Sequence, residues 1–179
     1  MNKKIRWGIV GLGNIAGKFA RDLNLSSEAT LVAVASRDSN KARRFSEEYG
    51  AEKAYGSYEA LFEDPEVDVV YIATPHSLHH AQTLSALKGG KNVLCEKPLG
   101  INASEVRVMT DLASEKGLFL MEALWSRFNP SIQEVYRRIH KGELGAVCYL
   151  RADFAFPALD RHPEGRLLNP ALAGGSLLD

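Results

Sequence analysis

Between Arg6 and Leu23 the chain passes from one apolar spacing to another across two glycines, and no other stretch restricts its fold so strongly. Residues 6–10 are short and dense enough in apolar side chains to be a strand buried on both faces. Ile15, Phe19 and Leu23 then recur every four residues, which predicts one apolar face on a helix. The join reads Gly11-Leu12-Gly13-Asn14-Ile15-Ala16 and fits the pattern G-x-G-x-x-G/A. In such a turn Gly11 permits the sharp reversal, Gly13 lets a pyrophosphate approach the backbone, and Ala16 keeps the helix close to the sheet. The first helical turn, with Asn14 and Ile15, supplies unpaired N–H groups and a dipole that favours phosphate. A plain strand–helix turn also likes glycine, so the fingerprint depends on the rest of the chain for support.

That support is a regular alternation of strands and helices, the order of a parallel sheet with crossover helices. Strands are predicted at 30–35, 53–55, 67–73, 92–95 and 118–121. Helices are predicted after Ser39 as cap, through Ala42, Phe45 and Tyr49 with Gly50 as stop, from Ser57 to the Asp64-Pro65 pair, over 78–88, and from Asn102 to Lys116. Asn102 with Glu105 three residues on resembles a capping box. Six strands with these connections describe an α/β fold, a doubly wound Rossmann sheet, over 1–124. Beyond it Asn129-Pro130 opens a helix carrying Ile132, Val135, Tyr136 and Ile139, which ends over 142–145. A long strand is expected at 146–156. Residues 125–179 are read as the truncated start of a second α+β domain with an open, mostly antiparallel sheet, and the chain as a fragment.

At the end of the second strand, about 20 residues past the fingerprint, an acidic residue would bind the ribose 2′-hydroxyl of NAD. The chain reads Ala35-Ser36-Arg37-Asp38 there. Ser36 and Arg37 suit a 2′-phosphate, and the planar Arg37 also stacks on adenine, which favours NADP. The alternative makes Arg37 a solvated cation and Asp38 the ribose ligand, with NAD as cofactor. Composition excludes other classes. With 22 basic and 22 acidic side chains the net charge is zero, and the positive groups are scattered along the chain, so nothing suggests a basic face for nucleic acid. Hydrophobic residues make up 45% of the chain, too many for a disordered one, yet no apolar run approaches the ~20 residues of a membrane span. Cys95 and Cys148 have neither disulfide nor metal-ligand spacing and read as the reduced thiols of a cytoplasmic protein.

Four further stretches complete a pattern: Ala73-Thr74-Pro75-His76-Ser77-Leu78-His79, Cys95-Glu96-Lys97-Pro98, the run from Glu122 through Trp125-Ser126-Arg127-Phe128 to Pro130, and Gly174-Gly175-Ser176-Leu177-Leu178-Asp179. Together with the fingerprint they resemble the Gfo/Idh/MocA oxidoreductases, and the Trp-Ser-Arg-Phe stretch looks most like the dihydrodiol dehydrogenase branch. The resemblance implies hydride transfer between a nicotinamide and the hydroxyl or carbonyl carbon of a sugar-like or cyclic-diol substrate. Lys97 and Asp179 are then the catalytic candidates. A proton must move on the substrate oxygen, and a lysine within reach can carry it or hold the oxygen electrostatically. A lysine after a strand is also an ordinary surface residue. By resemblance Glu96 holds the nicotinamide region, Pro98 follows a cis peptide, and Thr74, Pro75 and His79 pass beside the cofactor. His79 is alternatively a cap for its own helix.

Trp125 and Phe154 are candidates to line a substrate pocket, or else are aromatics packed at a domain junction. Arg127 binds cofactor or pairs with an acid. The acid/base residue expected one helical turn beyond Asp179 lies past the last position, so the chain alone is expected to bind nucleotide without turnover. By analogy the intact protein pairs with itself through the second domain. A competing class is a non-catalytic dinucleotide-binding module that senses redox state. The lysine in Glu96-Lys97-Pro98 discriminates, because a sensor needs no titratable group beside the nicotinamide.

Overall fold

The computed structural model describes residues 4–157 and 160–175. Six parallel strands lie in the order β3-β2-β1-β4-β5-β6. They are β1 (Ile5–Val10), β2 (Ala29–Ala35), β3 (Lys53–Tyr55), β4 (Val69–Ile72), β5 (Asn92–Glu96) and β6 (Leu120–Ala123). The crossovers are α1 (Asn14–Asn24), α2 (Ser39–Tyr49), α3 (Tyr58–Glu63), α4 (His76–Lys88) and α5 (Ala103–Glu115). Successive side chains of the central strands point to opposite faces, so both faces must be apolar. Ile9 and Val34 pack with Ala16, Ala20, Ala42 and Phe45 of α1 and α2. Val10, Val70 and Ile72 pack with Leu61, Leu87 and Ala113 of α3, α4 and α5. Each face therefore has its own helix layer, and all strands end at the same edge of the sheet.

Most expected elements are present, with shifted ends. Strand β4 is shorter than 67–73, β6 begins two residues later than 118, and α4 begins two residues before Leu78. The cap of α2 is Asp38 rather than Ser39: its Oδ1 accepts from the N–H groups of Asn40 at 2.9 Å and Lys41 at 3.2 Å. Ser57 caps α3, and Asn102 caps α5 by accepting from Glu105 N–H at 2.9 Å. Glu105 returns its carboxylate to the N–H of Ile101 rather than to that of Asn102, so the capping box is displaced by one residue.

At the edge where the strands begin, Asp64 accepts from Lys53 and from the Tyr55 hydroxyl at 2.9 Å. Burial opposes its charge, but the Glu66 N–H, Lys53 and Tyr55 together hold its carboxyl below the usual range. The buried Lys91 ammonium donates to the carbonyls of Asp64 and Val67, closing the end of α3. Burial lowers its pKa.

After β6 a single 3₁₀ turn (Trp125–Phe128) leads into α6 (Pro130–His140). The strand expected at 146–156 is not formed, and no antiparallel pairing is present among the described residues. A strand is held by its ladder, and none of the described residues lies alongside this segment to provide one. The chain then returns to the sheet. A short turn (Pro170–Leu172) lies against α4, where Ala173 O is 3.3 Å from His76 Nδ1. No described helix is long and apolar enough to cross a membrane.

Candidate active site at the carboxyl edge of the sheet

In a parallel sheet every strand delivers its next residue to the same edge, and the crevice opens where the connections change faces. Here that point lies between β1 and β4. The helices after β1 and β2 cover one face, and those after β4 and β5 cover the other. Residues Gly11, Ser36, Thr74, Lys97 and Trp125 all follow strand ends along this edge.

The turn after β1 has the form a phosphate requires. Gly11 has φ +82°, and a Cβ there would lie 2.5 Å from Thr74 N and 2.6 Å from Ala73 C. The turn and the loop after β4 thus meet backbone to backbone, which any side chain would prevent. A Cβ on Gly13 would meet nothing within 4 Å, leaving open space above the helix end. Gly13 is also the N-cap of α1 and contributes no side-chain acceptor. The N–H groups of Asn14, Ile15 and Ala16 have no carbonyl one turn back, so an anion seated over Gly13 would satisfy them. Ala16 is fully buried against the sheet. The cradle fits a dinucleotide pyrophosphate. A wider surface depression, about 590 Å³, lies at the opposite edge among Arg21, Asn24 and Tyr49. The carbonyl ends of α1 and α2 reach that edge, the wrong polarity for phosphate.

Ser36 is buried at the end of β2, where its Oγ accepts from Asp38 N–H at 3.2 Å. Asp38 is engaged in capping α2 through the same oxygen for both N–H groups. Arg37 stands exposed between them.

The loop after β5 is held from several sides. Glu96 accepts from the hydroxyl of Tyr71 on β4 through Oε1, and from Lys97 N–H at 3.2 Å through Oε2. Tyr71 is buried, and Phe19 of α1 stacks on its ring at 4.0 Å. Burial and then the Glu96 carboxylate push the tyrosine pKa up, so its proton stays in place. The Lys97–Pro98 peptide is cis. On its far side Leu99 N–H donates to Glu122 Oε1 at 2.8 Å, from the end of β6. Pro98 O is 2.8 Å from His79 Nδ1, and Thr74 O is 2.9 Å from His79 Nε2. The Thr74 hydroxyl donates to Gln82 at 2.6 Å.

His79 is therefore fully buried, with both ring nitrogens within hydrogen-bond distance of main-chain carbonyls. Tyr71, Gln82 and Glu122 were not anticipated from the sequence. The signal was there: Tyr71 and Glu122 bring polar groups into otherwise apolar strands, Gln82 shares its buried helix face with His76, His79 and Thr83, and buried polar groups take partners. The remaining candidates lie farther out. Arg127 lines an open groove of about 410 Å³ with Met121, Glu122, Leu124 and Phe128. Trp125 is 61% and Phe154 82% exposed, the latter edge-on to Phe156, so the two do not enclose a pocket here. Asp179 lies outside the described residues.

Strand order, the uncapped helix over Gly13 and the placement of Thr74 and Lys97 define a dinucleotide-binding Rossmann protein. Residues 5–124 match the oxidoreductase family with an NAD-binding Rossmann fold, Gfo/Idh/MocA, and the chain belongs to that family. Among curated relatives it is 48% identical to trans-1,2-dihydrobenzene-1,2-diol dehydrogenase of Mus musculus and 45% identical to that of Homo sapiens. Each match covers 98% of this chain and 52% of the relative, so the chain spans about half the length of the curated relatives it matches. Among solved structures, an NAD-binding oxidoreductase from Klebsiella pneumoniae superposes with TM-score 0.75 at 32% identity, over 79% of this chain and 40% of that one. A 3-ketoreductase from Actinomadura kijaniata, in complex with TDP-benzene and NADP, gives 0.74 at 33% identity, over 78% and 44%.

Proposed function

We propose that the protein acts as an NADP-linked dehydrogenase or reductase on the CH–OH or carbonyl carbon of a small sugar-like or cyclic-diol substrate. Residues 1–124 hold the cofactor and 125–179 begin a substrate domain. The observation that carries the reading is Lys97 on a firmly held loop at the same sheet edge as the open phosphate cradle. A sensor of redox state would need the cradle but not the lysine. The relatives in the dihydrodiol dehydrogenase branch support the diol class.

A nicotinamide held there would supply or accept the hydride. The chain's own residues do the rest. First-turn N–H groups over Gly13 take the pyrophosphate, and Ser36 with Arg37 takes the adenosine 2′-phosphate while Asp38 stays with α2. Lys97 Nζ holds the substrate oxygen and donates its proton as that oxygen becomes a hydroxyl, or withdraws one in the reverse direction. Asp179, which lies outside the described residues, is the second catalytic group of this proposal.

Fluorescence titration tests the cofactor assignment. NADPH should bind tighter than NADH, and Arg37→Ala should narrow the gap; tighter NADH binding overturns it. Turnover tests the chemistry. In the active enzyme Lys97→Met should lower kcat by about 10²-fold or more with cofactor affinity nearly intact. A variant that retains most of its kcat removes Lys97 from the mechanism.

A further inference from the structure

A buried imidazole between two main-chain carbonyls is an uncommon way to fill a core. Burying a polar ring is costly unless its nitrogens find partners, and a leucine would fill the space without that cost. Each ring nitrogen of His79 lies within hydrogen-bond distance of a carbonyl, and the two carbonyls come from different loops. Thr74 O belongs to the loop after β4, whose backbone touches the phosphate turn at Gly11. Pro98 O belongs to the loop after β5, one peptide beyond Lys97. Both carbonyls only accept, and the ring stands within hydrogen-bond distance of each. Tyr71 and Glu122 fix the Lys97 loop at Glu96 and Leu99, but each reaches that loop alone. His79 ties it to the cofactor side of the crevice.

We propose that His79 is a positioning residue: by bonding Thr74 O and Pro98 O together it sets where Lys97 stands relative to the cofactor edge of the crevice. The inference rests on the proposed role of Lys97. A residue that served only to pack the core would be replaced by an apolar side chain of like volume without moving Lys97. A positioning residue would not, because the carbonyl that follows Lys97 loses its anchor.

The test uses the 179-residue chain with its lysines converted to ¹³C-dimethyl-lysines, a change that keeps their charge. Lys97→Met identifies the Lys97 resonance. His79→Leu should displace or broaden that resonance in the absence of cofactor, while the other lysines stay in place. His79→Gln, which keeps an N–H donor group near these carbonyls, should give a smaller displacement. It also serves as the deciding variant if His79→Leu does not fold. In the active enzyme the same changes should lower kcat about 10-fold or more with KM little altered, as expected of a misplaced catalytic group. An unmoved Lys97 resonance in a folded His79 variant overturns the proposal. Failure of the Lys97 resonance to respond to NADPH in the unaltered chain instead counts against the functional reading, so the two failures are distinguishable.

Discussion

Helices α1 and α6 are both eleven residues long and both carry an apolar stripe, yet they end in opposite circumstances. Helix α1 lays Ala16, Ala20 and Leu23 on the sheet and buries them. Helix α6 buries none of its residues; Ile132, Val135 and Tyr136 stay exposed, and it touches the Trp125–Phe128 turn. The local signals run the other way. Helix α6 has Asn129 as side-chain cap, Pro130 in its first turn and Arg137, Arg138 and His140 in its last. Arg137 and then Arg138 hold the Glu134 carboxyl down at about 2. Helix α1 has no side-chain cap. Capping and side-chain pairs favour a short helix by small amounts, whereas most helical stability comes from packing on a partner surface. The comparison also bears on function. The sheet sustains α1 without a cap, and the missing cap is what leaves N–H groups free for a phosphate.

The largest expected contrast is in thiol reactivity. Cys95 is fully buried in β5, and burial pushes its thiol up to about 12; Cys148 is exposed. A thiol reagent should label Cys148 at least ~10³-fold faster, because Cys95 reacts only when the sheet opens. Comparable rates would show that the sheet is no more protected than the region after it.

A smaller contrast is expected from one substitution made in each region. Gly11→Ala places a Cβ against the Thr74 backbone at positive φ, and should cost about 3 kcal/mol or more of stability in thermal or urea unfolding. Gly142 also has positive φ, but a Cβ there meets nothing within 4 Å. Gly142→Ala should cost about 1 kcal/mol locally and leave the melting of the sheet unchanged. If both variants lower the sheet's melting temperature equally, the two regions unfold together and the contrast fails.

The smallest effect is in acid. Asp64 has a lowered pKa in the folded state, so its contribution is present above the unfolded carboxylate value of about 3.9 and is lost as pH falls through the folded value. The sheet's melting temperature should therefore fall below about pH 4, and Asp64→Asn should flatten that part of the profile. An unchanged profile would assign the acid sensitivity to other carboxylates.

Where a residue's role depends on the chain immediately around it, the sequence was a sufficient guide. The strand–glycine–helix join at Gly11 and Gly13, the caps at Ser57, Asn102 and Asn129, and the alternation of six strands with helices are local or periodic signals, and the structure repeats them. Strand β4 and the start of β6 are shorter than read because their apolar runs continue beyond the ladder, whereas β5 and the end of β6 extend past theirs to Glu96 and Ala123. Asp38 in place of Ser39 as cap shows two good caps in sequence, between which only the backbone chooses.

What the amino-acid sequence determined alone was the class of fold and the set of chemical groups at the sheet's carboxyl edge, because apolar period and glycine position act over a few residues. Tertiary structure decided which of those groups face the crevice and which stand behind it. His79 belongs to a motif read as passing beside the cofactor, and its ring lies between the carbonyls of Thr74 and Pro98, on two different loops. Tyr71 and Glu122 hold the Lys97 loop from strands on either side of β5. The stretch 146–156 has the residues of a strand and does not become one, since a ladder needs a second strand beside it. Hydrogen bonds across such distances depend on where the sheet brings the loops, and no local pattern in the chain encodes that.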